Sequence, residues 1–237
     1  MKEVLRVILI IFFGTFYRVK VINKENIPDK GAALLCANHI GELDMFFIGY
    51  RLKRLVRWMA KEELFKNKLV GAFISWLGAF PIKRGKADVE SIKTSIRLLN
   101  EGHIVGIFPE GTRMRNRDRN KIKVHRGAAM IALRAGVPII PVAIEASYKP
   151  FSKVRVVFGK PFRIEDVYNQ KQIAGLNEDN KGTNNIDDKD KQDNINRPNK
   201  IDVPADIKET DRKYTNEELI EISKIIMDRV YGLLEVK

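Results

Sequence analysis

Cysteine is almost missing from this chain of 237 residues: Cys36 stands alone, which excludes an internal disulfide framework and suits a reducing compartment. Because Cys36 lies inside an apolar run it reads as a core thiol, although its place three residues before His39 also admits a nucleophile. A serine nucleophile has no support, since no Gly-x-Ser-x-Gly elbow occurs. Long hydrophobic runs are missing too. The most apolar window, Val4 to Tyr17, would reach only about 21 Å as a helix, short of the roughly 30 Å hydrocarbon core, so it is a poor spanning segment. A secretory leader is not expected, because Tyr17-Arg18-Val19-Lys20 stands where a small-x-small cleavage site would follow. Metal-ligand clusters are lacking as well: Asp187-Asp188-Lys189-Asp190 has neither the glycine nor the terminal glutamate of a calcium loop.

Apolar mass and positive charge are what the chain does have. Hydrophobic residues make up 44%, enough for a real core, and the formal net charge is +13. The charge is concentrated: residues 1–170 hold 31 Lys and Arg against 15 Asp and Glu. A basic folded part implies an anionic partner, whether lipid surface, phosphate-bearing substrate or nucleic acid. The densest run, Arg113 to Lys123, contains no aromatic residue, and no helix-turn-helix or zinc-ligand spacing is found, so nucleic acid is not expected. A solvated loop, lipid headgroups and an acidic acyl carrier remain as readings of that run.

Strand and helix patterns alternate along most of the chain. Val19 to Ile22 reads as a short strand, Ala32 to Ala37 as a buried strand and Met45 to Leu52 as a helix. Lys61 to Leu77 reads as one amphipathic helix that suits either the core or a membrane interface. Val89, Ile92, Ile96 and Leu99 recur at helical spacing up to Gly102, and His103 then opens a strand that ends at Ile107. Gly127 to Ala135 is a helix stopped by Gly136, Val137 to Ile144 a strand buried on both faces, and Val154 to Phe158 a late or edge strand. The expected fold is therefore α/β: a single domain with a mixed, mostly parallel sheet flanked by helices and an N-terminal membrane-interfacial helix. Its boundaries are an apolar anchor over 1–18, the α/β domain over 19–169, and a C-terminal amphipathic helix over 214–237 whose N-cap is Thr215. Between them, 170–213 is rich in Asn, Asp, Lys and Gln, cannot bury enough apolar surface to offset chain entropy, and is expected to be disordered.

Chemistry collects at the ends of the strands. Asn38-His39-Ile40-Gly41-Glu42-Leu43-Asp44 follows the Ala32 to Ala37 strand. Histidine accepts a proton near neutrality, and a carboxylate on its other ring nitrogen fixes the tautomer and supports the developing charge. Five positions apart on one helix would place His39 and Asp44 about 140° round from each other, so they meet only if the chain turns, with Gly41 as the flexible point. Asp44 serving merely as a helix N-cap is the competing reading. A second strand end carries Phe108-Pro109-Glu110-Gly111-Thr112-Arg113, and a third apolar segment, Gly78 to Lys83, is closed by Arg84. Ligands in open α/β sheets bind at the carboxyl ends of strands, and Arg84 and Arg113 are planar forks suited to phosphate. His103 is at the wrong end of its strand and reads as structural; His125 reads as surface.

With these blocks and Val137-Pro138-Ile139-Ile140-Pro141-Val142 in order, the sequence resembles the glycerolipid acyltransferases, in particular the bacterial 1-acyl-sn-glycerol-3-phosphate acyltransferases, over roughly residues 19–165 and the last helix. It departs from them at Lys83, where an acidic or polar residue is commoner, so Lys83 is not carried over. The resemblance implies transfer of a fatty acyl group from acyl-CoA or acyl carrier protein to the 2-hydroxyl of lysophosphatidate, giving phosphatidic acid, with no further cofactor. It implies His39 as base and Asp44 as its orienter, and Arg84, Glu110, Gly111, Thr112 and Arg113 as substrate-binding residues. Loop N–H groups near Gly41 or Gly111 are candidate oxyanion donors. The implied setting is the cytoplasmic face of an anionic membrane, held peripherally or monotopically. Other acceptors such as glycerol-3-phosphate, a thioester hydrolase, and a non-catalytic basic binding protein are the alternatives.

Overall fold

The computed structural model describes residues 2–49, 51–83, 88–113, 123–164, 166–167 and 214–235. Arg84, most of the Arg113 to Lys123 run and the 170–213 segment lie outside the described residues. In chain order the elements are α1 (Lys2–Phe16), β1 (Arg18–Ile22), β2 (Ala33–Ala37), α2 (Asp44–Gly49), β3 (Val56–Lys61), α3 (Glu63–Lys66), α4 (Lys68–Trp76), β4 (Phe80–Ile82), α5 (Val89–Asn100), β5 (Ile104–Ile107), α6 (Gly127–Ala135), β6 (Ile139–Ala146), β7 (Lys153–Phe158) and α7 (Asn216–Glu235).

The seven strands form one sheet in the order β1-β7-β6-β2-β5-β3-β4, parallel everywhere except between β6 and β7. Helices cover both faces, which is why β2 is apolar at every position and fully buried instead of alternating. On one face Leu35, Phe47, Trp58 and Ile140 pack with Phe13 of α1; on the other Leu34, Leu99, Ile131 and Ile139 pack with Ile222 and Ile226 of α7. Side chains of neighbouring strand residues point to opposite faces, so Leu34 and Leu35 serve different cores.

The connections explain where a crevice must form. From β2 the chain moves through α2 toward β3 on one side, whereas from β5 it moves through α6 to β6 on the other side of β2. The two connections lie on opposite faces of the sheet, α2 with the Phe47 core and α6 with the Ile131 core, and adjacent strands whose connections leave to opposite faces have a cleft at their carboxyl ends. β2 and β5 are parallel with Cys36 opposite Ile107, so the segments leaving both strands, 38–44 and 108–113, emerge side by side at that cleft.

Several expectations need correction. β3 was not anticipated, and the single helix expected from Lys61 to Leu77 is two, α3 and α4, broken at Asn67, whose side chain accepts from Leu69 and Val70 N–H at 3.1 Å each. An N-cap at that point starts a new helix where apolar periodicity alone runs straight through. β7 is not an edge strand, because β1 pairs with it in parallel; β1 and β4 are the edges. α2 ends at Gly49, short of Leu52. In α5 the buried residues are Ser91, Ser95 and Leu99, and Val89 is exposed. Tyr17, at the end of the expected interfacial segment, turns its ring inward onto Phe47 and Phe13. Thr215 does cap α7: its Oγ1 accepts from Glu218 N–H at 3.2 Å and Glu218 Oε2 accepts from Thr215 N–H at 2.5 Å, a reciprocal box.

Candidate active site

The chain turns sharply after β2, and that turn brings His39 back onto Asp44. His39 Nδ1 lies 2.6 Å from Asp44 Oδ2, with His39 4% and Asp44 0% exposed. The same oxygen accepts Ile40 N–H at 2.7 Å and Gly41 N–H at 3.0 Å. Asp44 thus closes the turn and partners the ring, but it is not the N-cap of α2: its side chain accepts from residues before it, while the N–H groups of Phe46 and Phe47 go to Leu43 O. The ring nitrogen faces an oxygen that already accepts two N–H groups, so the network assigns the proton to Nδ1 and leaves Nε2 with its lone pair. Gly41 is needed for room more than for flexibility: a Cβ there would sit 2.4 Å from the Tyr148 ring.

Asn38 locks the start of the turn. Its Nδ2 donates to Ile144 O at 2.9 Å and its Oδ1 accepts Ile144 N–H at 2.8 Å, so one buried amide satisfies both backbone groups of a residue on β6. The His39 ring stacks on Phe108 at 4.0 Å between centroids, and Phe108 stacks on Trp58 at 5.0 Å. Gly106 makes this possible, since a Cβ on it would lie 2.6 Å from the Trp58 ring.

Glu110 takes a place the sequence reading did not assign. It is 2% exposed, its Oε2 accepts His39 N–H at 2.9 Å, and its Oε1 accepts the Tyr231 hydroxyl. Both oxygens are engaged by the protein itself, so Glu110, expected among the substrate-binding residues, braces the turn. Burial pushes its pKa above the ordinary carboxylate range, an effect opposed by the hydrogen bonds from Tyr231 and the His39 amide. Arg113 Nη1 pairs with Glu42 Oε1, joining the two strand-end segments at the cleft rim, where both side chains are partly exposed. Thr112 is exposed, and Gly111, at φ +66°, leaves room for the His125 ring 2.7 Å from where its Cβ would be. His125 is exposed, as its surface reading expects, and its N–H donates to Pro109 O at 3.0 Å, so it borders the site from the surface. Among the candidate oxyanion donors near Gly41 and Gly111, the N–H groups of the two glycines themselves are taken, Gly41 N–H by Asp44 and Gly111 N–H by Phe108 O at 3.0 Å. Arg84 is not placed.

Cys36 is fully buried and its thiol pKa is pushed far up by desolvation, which removes it as a nucleophile. Next to the histidine stack lies a cavity of about 260 Å³, bounded by Trp58 together with Ile10 and Phe13 of α1, Phe46 of α2 and Ile74 of α4, with Arg51 and Arg54 on its margin. Among the described residues no group of His, Cys, Asp or Glu is arranged to hold a metal ion.

None of Asn38's bonding, Trp58, Tyr148 or Tyr231 entered the sequence reading. The Asn-His pair and the glycines at 41 and 106 were visible signals of close approach; Tyr231 had none, being one residue off the apolar stripe of its helix.

Known proteins resemble this chain in sequence and in fold. A profile of the family described as Acyltransferase matches residues 18–145. A 1-acyl-sn-glycerol-3-phosphate acyltransferase of Bacillus subtilis is 38% identical over 154 residues, covering 62% of this chain and 75% of the relative. A chloroplastic 1-acyl-sn-glycerol-3-phosphate acyltransferase of Arabidopsis thaliana is 28% identical over 159 residues, covering 62% of this chain but 44% of the relative, so the chain spans under half of that protein. The crystal structure of the 1-acyl-sn-glycerophosphate acyltransferase PlsC from Thermotoga maritima has the same fold, with a TM-score of 0.57 at 23% identity over 100% of this chain and 84% of that one.

Proposed function

Because the chain belongs to the acyltransferase family, we propose that it moves a fatty acyl group from an acyl thioester to the free 2-hydroxyl of 1-acyl-glycerol-3-phosphate, giving phosphatidic acid for phospholipid synthesis. The observation that carries this reading is the His39–Asp44 contact of 2.6 Å at the β2/β5 cleft, beside an apolar cavity. His39 Nε2 takes the proton of the acceptor hydroxyl, and the oxygen attacks the thioester carbonyl carbon. The tetrahedral adduct collapses, the C–S bond breaks, and the leaving thiolate takes the proton back from the imidazolium, whose positive charge Asp44 has stabilised meanwhile. Direct attack is favoured over an acyl-enzyme because the one nearby thiol is buried and strongly protonated.

The apolar cavity suits an acyl chain, each buried methylene being worth about 0.8 kcal/mol. Arg113 and Arg84 are assigned to the acceptor phosphate, with Gly111 and Thr112 shaping the approach; Arg113 exchanges its exposed partner Glu42 for phosphate at little cost, surface pairs being worth about 0–1 kcal/mol. The lipid surface is assigned to α1 and α4. Val4, Val7, Ile8, Ile11 and Phe12 are exposed on α1, as are Leu69 and Phe73 on α4, while Phe13 is buried beneath. Among the described residues no helix is long and apolar enough to cross a membrane, so contact at the cytoplasmic leaflet is the proposed mode.

The test is thiol release from acyl-CoA and from acyl carrier protein, each with and without lysophosphatidate, followed by identification of the lipid product. Release that requires the acceptor and yields phosphatidic acid supports the reading. Acceptor-independent release would make the protein a thioester hydrolase.

A further inference from the structure

The far helix of the fold reaches the catalytic turn through one side chain. α7 lies over β6 and α6 and buries Ile222, Ile226 and Val230, which is ordinary core packing. Tyr231 follows that stripe with a half-buried ring, and its hydroxyl donates to Glu110 Oε1, a residue 121 positions earlier. The other oxygen of that carboxylate receives the His39 amide. A carboxylate buried this deeply needs donors for both oxygens, because each one left bare in a low-dielectric site carries a desolvation penalty. Here one donor is the backbone of the residue whose ring does the chemistry, and the other is a phenol from the opposite layer of the molecule.

We propose that Tyr231 is a positioning residue for acyl transfer: its hydroxyl fixes the Glu110 carboxylate, and the carboxylate fixes the His39 backbone and hence the direction in which the ring presents Nε2. This rests on His39 acting as the base. Two constraints then set the imidazole independently, Asp44 on the ring and Tyr231–Glu110 on the main chain. The ring of Tyr231 packs with Val230 and its neighbours over β6 and β7, and a phenylalanine retains that packing, so the hydroxyl can be removed alone.

The decisive experiment uses Tyr231→Phe in the full chain. With only three histidines present, ¹⁵N-histidine labelling gives three backbone signals. The His39 amide is expected to shift upfield as its bond to Glu110 loosens, while that of His103, at the far end of β5, stays as the internal reference. In the transfer assay kcat is expected to fall roughly tenfold, the scale of one hydrogen bond to a charged group, with the KM for lysophosphatidate unchanged. In a Glu110→Gln background Tyr231→Phe adds nothing further, since both act through one link. An unmoved His39 amide, an unchanged kcat, or losses that simply add in the double variant would each overturn the assignment. Absence of acyl transfer in the unmodified protein would instead overturn the proposed reaction, and the amide shift distinguishes the two failures because it is read without substrate.

Discussion

The two faces of the sheet are finished differently. On the side of α1, α2 and α4, large apolar residues stand outward, Leu69 at 84% exposed, and a cavity opens beneath them. Among the described residues on the side of α5, α6 and α7, the exposed large hydrophobics are Val89 at 36% and Ile220 at 37%, and the helices close down on the sheet. One face presents apolar side chains to water until something apolar meets it, while the described helices of the other bury theirs against the sheet. The catalytic turn sits between them and takes something from each: the Phe108–Trp58 stack and cavity from the open face, the Glu110–Tyr231 brace from the closed one. Changes to the brace on the closed face or to the stack on the open face should therefore alter turnover and stability, and changes to the outward apolar residues of the open face should alter where the protein resides.

The largest effect expected is at the turn that both faces share. His39→Ala should lower kcat by about 10²–10⁴, as for loss of a general base, with circular dichroism and thermal midpoint close to unmodified; near-normal turnover in the folded variant would end the comparison, because the site would be elsewhere. Asn38→Ala comes next. It leaves Ile144 N–H and C=O buried without partners, so a loss of roughly 2–4 kcal/mol is expected in denaturant unfolding. Gly106→Ala presses on Trp58 and should cost about 1–3 kcal/mol while disturbing the histidine stack, seen as a fall in both stability and kcat. On the open face, replacing Val7 and Ile11 together by serine should weaken vesicle binding about tenfold, given the area lost from the interface, and leave turnover on detergent-dispersed substrate intact; an equal drop in detergent would mean that α1 serves the fold and not the membrane.

The smallest effect concerns Glu110 and pH. Its folded pKa is raised by burial, so its contribution to stability is complete below the ordinary glutamate range and is lost as pH rises through the raised folded value. A slight decline in thermal midpoint over that interval, absent from Glu110→Gln, is the expected signature. A flat profile in the unmodified protein would show that the two hydrogen bonds fully offset desolvation.

Local features were legible in the sequence wherever the physics is local. The β2 and β6 runs are continuous because both faces are covered, the cap at Thr215 is a four-residue pattern, and the His39–Asp44 spacing demanded a turn that the chain makes. What the sequence hid is long-range or competes with a stronger signal. β3 carries Arg57 and Lys61 within its apolar alternation, which masks the strand, and Asn67 interrupts a periodicity that continues in phase on both sides of it. The interior position of β7 depends on β1, more than a hundred residues away, and Tyr231 meets Glu110 only because β5 and α7 end up on the same flank. Tyr148, at φ 55°, holds its ring against Gly41 from a loop whose conformation no propensity rule would assign to an aromatic residue.

The lone thiol has a use beyond chemistry. Cys36 is flanked by β5 and β6, covered above and below, and lies on the strand that delivers the histidine. An alkylating reagent can reach it only when that strand leaves the sheet, so the labelling rate becomes a clock for whole-domain opening that needs no engineered probe. A bound lipid that braces the cleft should slow the clock, and ligand affinity could then be timed on the unmodified chain without following product at all.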